Sequence, residues 1–117
     1  MTLREVLSII EGEVVSKGVD LDREISMGCG ADLMSDVLIF THANTLLMTG
    51  VTNPQVVRTA EMVDIHAIVF VRGKTPQSET VALAEEKDIA LLSSPYTMFE
   101  VCGRLYKAGL PSCGLFA

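Results

Sequence analysis

The sequence predicts an α/β domain, a three-layer α/β/α sandwich around a largely parallel sheet. The sheet becomes mixed if two N-terminal strands follow one another without a helix. Three observations predict this. The run 67–71 (AIVFV) is continuously apolar, as strands buried on both faces are. Such runs alternate along the chain with segments whose apolar residues recur at helical spacing. The junctions from strand to helix also share one grammar, a Gly, Ser, Thr or Asn cluster followed by proline. At 117 residues, the chain is expected to form one domain, 1–117, that buries a single core.

The elements follow in order. Thr2-Leu3-Arg4-Glu5 fits a capping box, Leu3, Val6, Leu7 and Ile10 fall on one helical face, and Gly12 ends that helix. "EVVSKG" reads as a short strand closing at Gly18, and "VDLD" as a turn. "REISMGCG" reads as a second strand running into a glycine-flanked corner at Gly28 and Gly30. In "ADLMSDVLIF", Leu33, Met34, Val37 and Leu38 share a helical face, and Asp32 near the start suits the helix dipole or a solvated face shared with Asp36. "TLLMTG", "HAIVFVRG" and "IALLSS" are then strands, and "NPQVVRTAEMVD", "TPQSETVALAEEKD" and "PYTMFEVCGRLYKAG" are helices. "NPQ…AEMVDI" echoes in "TPQ…AEEKDI", which marks two similar α-β units.

Composition narrows the function. Net charge is −6, the wrong sign for a nucleic-acid binder, and the basic residues are scattered. No apolar run reaches the ~20 residues of a membrane span and no basic-then-apolar leader opens the chain, so a cytoplasmic protein is expected. The hydrophobic content of 49% exceeds what a small core absorbs, which points to a homodimer. Val14, Met34, Val37, Leu115 and Phe116 are candidates for its interface.

In a parallel sheet the three corners lie at the carboxyl ends of strands, where open α/β folds bind ligands. The first is Thr49-Gly50-Val51-Thr52-Asn53-Pro54, with Asn53 as N-cap, and the second is Arg72-Gly73-Lys74-Thr75-Pro76, with Thr75 as N-cap. The third is Ser93-Ser94-Pro95-Tyr96-Thr97, capped either by Ser94 or by Thr97 paired with Glu100. Free N–H groups at helix starts suit anions, and Arg72 and Lys74 add two charges. Thr49, Gly50, Thr52, Asn53, Arg72, Gly73, Lys74, Thr75, Ser93 and Ser94 are therefore candidate residues for a small anionic or nucleotide ligand. The alternative is that they are only well-capped corners.

Other chemistries fit poorly. "GKT" at 73–75 would end a P-loop, but the glycine that loop requires is Ile68, inside a predicted strand. Cys29, Cys102 and Cys113 lack a C-x-x-C pair, and His42 and His66 stand apart, so neither metal nor cofactor is expected. Cys29 between two glycines could be a reactive thiol or a small residue in a tight turn. Cys102 lies on an apolar helical face, and Cys113 in a Pro-Ser-Cys-Gly tail that could be exposed.

The stretches "GADLMSDVLIF", "LLMTGVTNPQVVRTAEM", "AIVFVRGKTPQSETVALAEE" and "LLSSPYTMFEV" together resemble the DRTGG domain family, from about Glu13 to Gly109. The Asp-Arg pair expected after Thr49-Gly50 is Val51-Thr52 here, and the later Thr-Gly-Gly corresponds to Val71-Arg72-Gly73, with Gly73 retained. Members of that family occur alone or beside CBS, phosphotransacetylase and HPr kinase domains. The resemblance implies a three-layer fold, dimerisation and a regulatory or scaffolding role without catalysis. The reading is thus a non-catalytic homodimeric module that regulates or assembles with a protein partner and senses an anionic or nucleotide ligand. Its rival is a dedicated small-ligand binder, or a small enzyme using Cys29 or Lys74.

Overall fold

The computed structural model describes residues 1–40 and 43–113. Five helices and five strands follow in the order α1 (Leu3–Ile10), β1 (Glu13–Val14), β2 (Met27–Gly30), α2 (Met34–Phe40), β3 (Thr45–Thr49), α3 (Gln55–Met62), β4 (Ala67–Phe70), α4 (Ser78–Glu86), β5 (Ala90–Ser93) and α5 (Met98–Lys107). The strands form one sheet in the order β1-β5-β4-β3-β2. β2 to β5 are parallel, and the short edge strand β1 runs antiparallel to β5, so the sheet is mixed.

Helices cover both faces, as the continuous apolar strands require. Leu46, Met48, Val69 and Leu92 point to one side and pack with Leu3, Val6 and Ile10 of α1 and Val101 and Leu105 of α5. Leu47, Ile68, Phe70 and Leu91 point to the other side, against Val37 of α2, Val56, Val57 and Ala60 of α3, and Ala84 of α4. This is the expected three-layer sandwich.

Local chemistry sets the element ends. Thr2 Oγ1 accepts from the Glu5 N–H and Glu5 Oε1 from the Thr2 N–H, both at 3.2 Å, which completes the capping box. At the other end Glu11 adopts a left-handed backbone (φ 49°) and the Gly12 N–H reaches back to the Leu7 carbonyl at 2.9 Å. The echo "AEMVDI/AEEKDI" is the same device used twice. Asp64 and Asp88 are left-handed, and the Ile65 and Ile89 N–H groups return to Ala60 and Ala84. Each is a Schellman-type cap that drops a buried isoleucine into the second core.

Three expectations need correction. The first strand covers only Glu13–Val14, because the Val15 and Ser16 N–H groups both turn to the Leu91 carbonyl and Ser16 Oγ accepts the Leu91 N–H at 2.9 Å. A side chain thus takes over from the ladder. Gly28, Cys29 and Gly30 form no corner: they lie inside β2. A Cβ on Gly30 would come within 2.8 Å of Cys102 Sγ, and one on Gly28 within 2.9 Å of Leu110 Cδ2, so the glycines let α5 and the chain after it lie close on the strand. Val37 of α2 is fully buried in the core, whereas Leu33, just before the helix (62% exposed), and Leu38 (42%) face outward. α2 packs beside α3, with Val37 as its buried residue in the core. Val37 is therefore excluded from an interface. Val14 is exposed, Met34 half-buried, and Leu115 and Phe116 lie outside the described residues.

The glycines divide by what surrounds them. A Cβ on Gly12 would lie 2.6 Å from the Ser93 carbonyl oxygen, whereas one on Gly103 meets nothing within 4 Å. Gly12→Ala should lower unfolding free energy by about 1–3 kcal/mol. Gly103→Ala, in the interior of α5, should raise it by about 0.5–1 kcal/mol. Urea denaturation checks both signs.

Candidate functional site

The parallel ladder brings four strand ends to one edge. Past β2, Ala31 donates to the Met48 carbonyl; past β4, Val71 donates to that of Thr49; past β5, Ser94 donates to that of Phe70. The loops leaving β2, β3 and β4 therefore start side by side, and they converge on Gly50.

Thr49 is fully buried; its hydroxyl donates to Asp32 Oδ1 at 3.1 Å and accepts from the Val51 N–H at 3.1 Å. The Gly50 N–H donates to the same Asp32 oxygen at 2.7 Å. From the neighbouring corner, Lys74 Nζ donates to the Gly50 carbonyl at 3.0 Å. Arg72 and Gly73 take consecutive left-handed conformations (φ 60° and 64°). Their N–H groups bond to the Tyr96 and Ser94 carbonyls at 2.6 and 2.8 Å, which ties this loop to the third corner. Where glycine has no side chain, a Cβ on Gly50 would lie 3.6 Å from Asp32 Oδ1 and 3.7 Å from both Arg72 Nη2 and Lys74 Nζ. Among the described residues neither cation closes on Asp32 as an ion pair. A small space bounded by two cations and one anchored carboxylate results.

The predicted residues divide around this point. Thr49, Gly50, Arg72 and Lys74 gather there. Gly73, Lys74, Thr75, Ser93 and Ser94 line an adjoining cleft of ≈ 390 Å³ that also carries Glu11 and Glu13. Thr52 supports the framework, its carbonyl accepting from Thr80 Oγ1 at 2.7 Å and from the Gln77 N–H at 3.2 Å. Asn53 Oδ1 accepts the Gln55 N–H at 3.0 Å and so turns the chain into α3, one residue later than expected. Thr75 is not the cap of α4. The bond from Gln77 to Thr52 holds the chain extended past Pro76, and the cap falls on Gln77. Ser94 is buried, its hydroxyl donating to the Ile10 carbonyl at 2.8 Å and accepting from the Tyr96 N–H, which leaves the cap of α5 to Thr97. Asp32, read from sequence as a dipole or surface residue, is instead the anchored acid of the site. Its signal was its place directly after β2, at the level of Thr49-Gly50.

The remaining candidates lie elsewhere. Cys29 is buried in β2 beside Cys113, and burial together with that thiol pushes its pKa up to about 12. Cys113 is buried rather than exposed, since its N–H bonds to the Gly28 carbonyl at 3.0 Å and lays the chain along β2. Cys102 is half-buried and its pKa is likewise raised by burial. His66 precedes β4, at the opposite end of the strand from Arg72; His42 lies outside the described residues. Among the described residues no group of three or more His, Cys, Asp or Glu could hold a metal ion, and no helix is long and apolar enough to cross a membrane.

The DRTGG domain family matches residues 5–108. In fold the chain is similar to a crystal structure of the CBS and DRTGG domains of the regulatory region of Clostridium perfringens pyrophosphatase, complexed with the activator diadenosine tetraphosphate. The TM-score is 0.70 at 15% identity, over 94% of this chain and 47% of that one, so this chain spans about half its length. No curated protein matches.

Thr49→Val keeps the shape of the buried side chain but strands the Val51 N–H and removes a donor from Asp32. It should cost about 1–2 kcal/mol of stability, against less than about 0.5 for exposed Arg72→Ala, as measured by chemical denaturation.

Proposed function

The chain belongs to the DRTGG domain family, and we propose that it acts as a non-catalytic, homodimeric regulatory module. It binds a small anionic ligand, a nucleotide or other phosphate compound, at the Gly50 corner and signals to a protein partner. The observation that carries this reading is the convergence of Arg72 Nη2 and Lys74 Nζ on one small space at the carboxyl edge of the sheet. Two cations beside a bare glycine backbone, one of them held by its bond to the Gly50 carbonyl, suit phosphate oxygens. The similar Clostridium perfringens region is regulatory and holds a nucleotide activator, which supports the same class of role here.

Catalysis is disfavoured on chemical grounds. Thr49 and Asp32 are in hydrogen-bond contact, but the hydroxyl is fully buried and out of reach of a substrate. The Cys29 thiol, held near pKa 12, is the wrong form for attack at neutral pH. Lys74 is tied to the Gly50 carbonyl. The free cysteines favour a cytoplasmic setting, and the net charge of −6 disfavours nucleic acid. Phe99 (88% exposed) and Tyr106 (71%) on α5, with Leu33, Ile39 and Met62 on the other face, are apolar surface that a second copy could cover.

A thermal-shift series with ATP, AMP and inorganic phosphate, with solution mass recorded alongside, tests both parts. At a hundredfold excess over Kd, binding should add about 2.7 kcal/mol. The shift should vanish in the Arg72→Ala/Lys74→Ala double variant, and the mass should be that of a dimer. Binding that survives the double variant, or no shift with any of the three, overturns the anion site. A monomeric mass overturns the dimer.

A further inference from the structure

Asp32 is out of place in a site that only attracts anions. A carboxylate beside Arg72 and Lys74 repels any anion those cations draw in. The polypeptide nevertheless holds it there with two donors, the Gly50 N–H at 2.7 Å and the Thr49 hydroxyl at 3.1 Å. Both bonds fall on Oδ1, and among the described residues Oδ2 has no partner. The side chain is exposed, so that oxygen is open to an incoming group. Among the described residues neither cation closes on it as an ion pair. The position of a Gly50 Cβ thus has an anchored acceptor 3.6 Å away and two cationic donors 3.7 Å away.

An ionised carboxylate accepts hydrogen bonds only, while guanidinium and ammonium groups donate only. The partner that satisfies both sides carries a negative group and, a few ångströms off, a hydroxyl. A phosphate ester of a sugar has this pattern, its sugar hydroxyl supplying the proton; sulfate, which has no O–H at neutral pH, does not. An acidic side chain that takes a ribose hydroxyl beside a phosphate site is a known solution in other α/β folds.

Resting on the anion site proposed above, we infer that Asp32 is the specificity-determining residue of the corner: it accepts a sugar hydroxyl of a ribonucleotide and rejects anions that carry no hydroxyl. The test is titration of the full chain, followed by amide NMR shifts, with AMP, 2′,3′-dideoxy-AMP and sulfate, in wild type and in Asp32→Asn. Asn keeps an oxygen for the Gly50 N–H and Thr49 hydroxyl but loses the charge, and amide spectra report its folding directly. Wild type should bind AMP roughly tenfold tighter than the dideoxy compound, the least that a hydrogen bond to a charged group supplies. In Asp32→Asn that preference should collapse, while sulfate binds roughly threefold tighter as the repulsion is lifted. Equal wild-type affinity for AMP and its dideoxy analogue, a preference that survives in Asp32→Asn, or sulfate affinity that does not rise in Asp32→Asn, overturns the role of Asp32 and leaves the anion site standing. Failure of all three probes in both proteins overturns the anion site itself.

Discussion

The parallel hydrogen-bonded register of β2 to β5 is the constraint on which the rest of this molecule depends. It levels Gly30, Met48 and Val69, so the loops that leave the strands begin at one height and must share one edge. A one-residue slip would exchange the two faces of a strand, moving Leu47 and Ile68 into the core of α1 and α5. Because both faces are buried, the register is fixed by packing on two sides at once. The position of Asp32 beside Thr49 and Gly50 follows from that ladder and needs no special loop.

Glycine enters this scheme as a packing residue. Gly28 and Gly30 occupy alternate positions of an edge strand where larger side chains would hold α5 away. The nearest atoms to their absent Cβ groups belong to Leu110 and Cys102. Gly50 differs: the atoms nearest to its absent Cβ are the charged ends of Asp32, Arg72 and Lys74, at ordinary contact distance. Residues of the same type, a strand apart, let a helix lie close in one case and stand among charged groups in the other.

Patterns that repeat over several residues were legible in the sequence. The capping box at Thr2, the continuously buried β4 and the α-β echo each follow from periodicity or a fixed spacing, and each recurs in the structure. What escaped were single side chains whose partners are distant in sequence. Ser16 ends β1 by bonding to Leu91, Ser94 bonds to Ile10, and Asp32 bonds to Gly50. A hydroxyl or carboxylate carries no local mark of whether it caps, pairs or lines a site. Thr75 shows the converse, since it has the grammar of an N-cap, yet the long-range bond from Gln77 to Thr52 moves the helix start beyond it.

Positive φ at the second corner belongs to a tight turn and not to a helix end. Among the described residues five that are not glycine have positive φ. Glu11, Asp64 and Asp88 close helices, where a left-handed residue lets orphan carbonyls find donors, and Asn44 precedes β3 as a residue type that tolerates the region. Arg72 is different: with Gly73 it forms the centre of a turn closed by the Lys74 N–H to the Val71 carbonyl at 3.2 Å, and such a turn requires positive φ at both central residues. It is long, it ends no helix, and the left-handed form costs an L-residue about 1–2 kcal/mol. Three backbone bonds hold the loop in place, from Arg72 to Tyr96, from Gly73 to Ser94 and from Lys74 to Val71. An extended backbone at Arg72 would carry the chain straight on from β4, along the line of the strand. The left-handed turn instead brings Arg72 and Lys74 to the same side, over Gly50 of the neighbouring strand end. The turn, and with it the cost of a left-handed arginine, is what sets both cations beside Gly50.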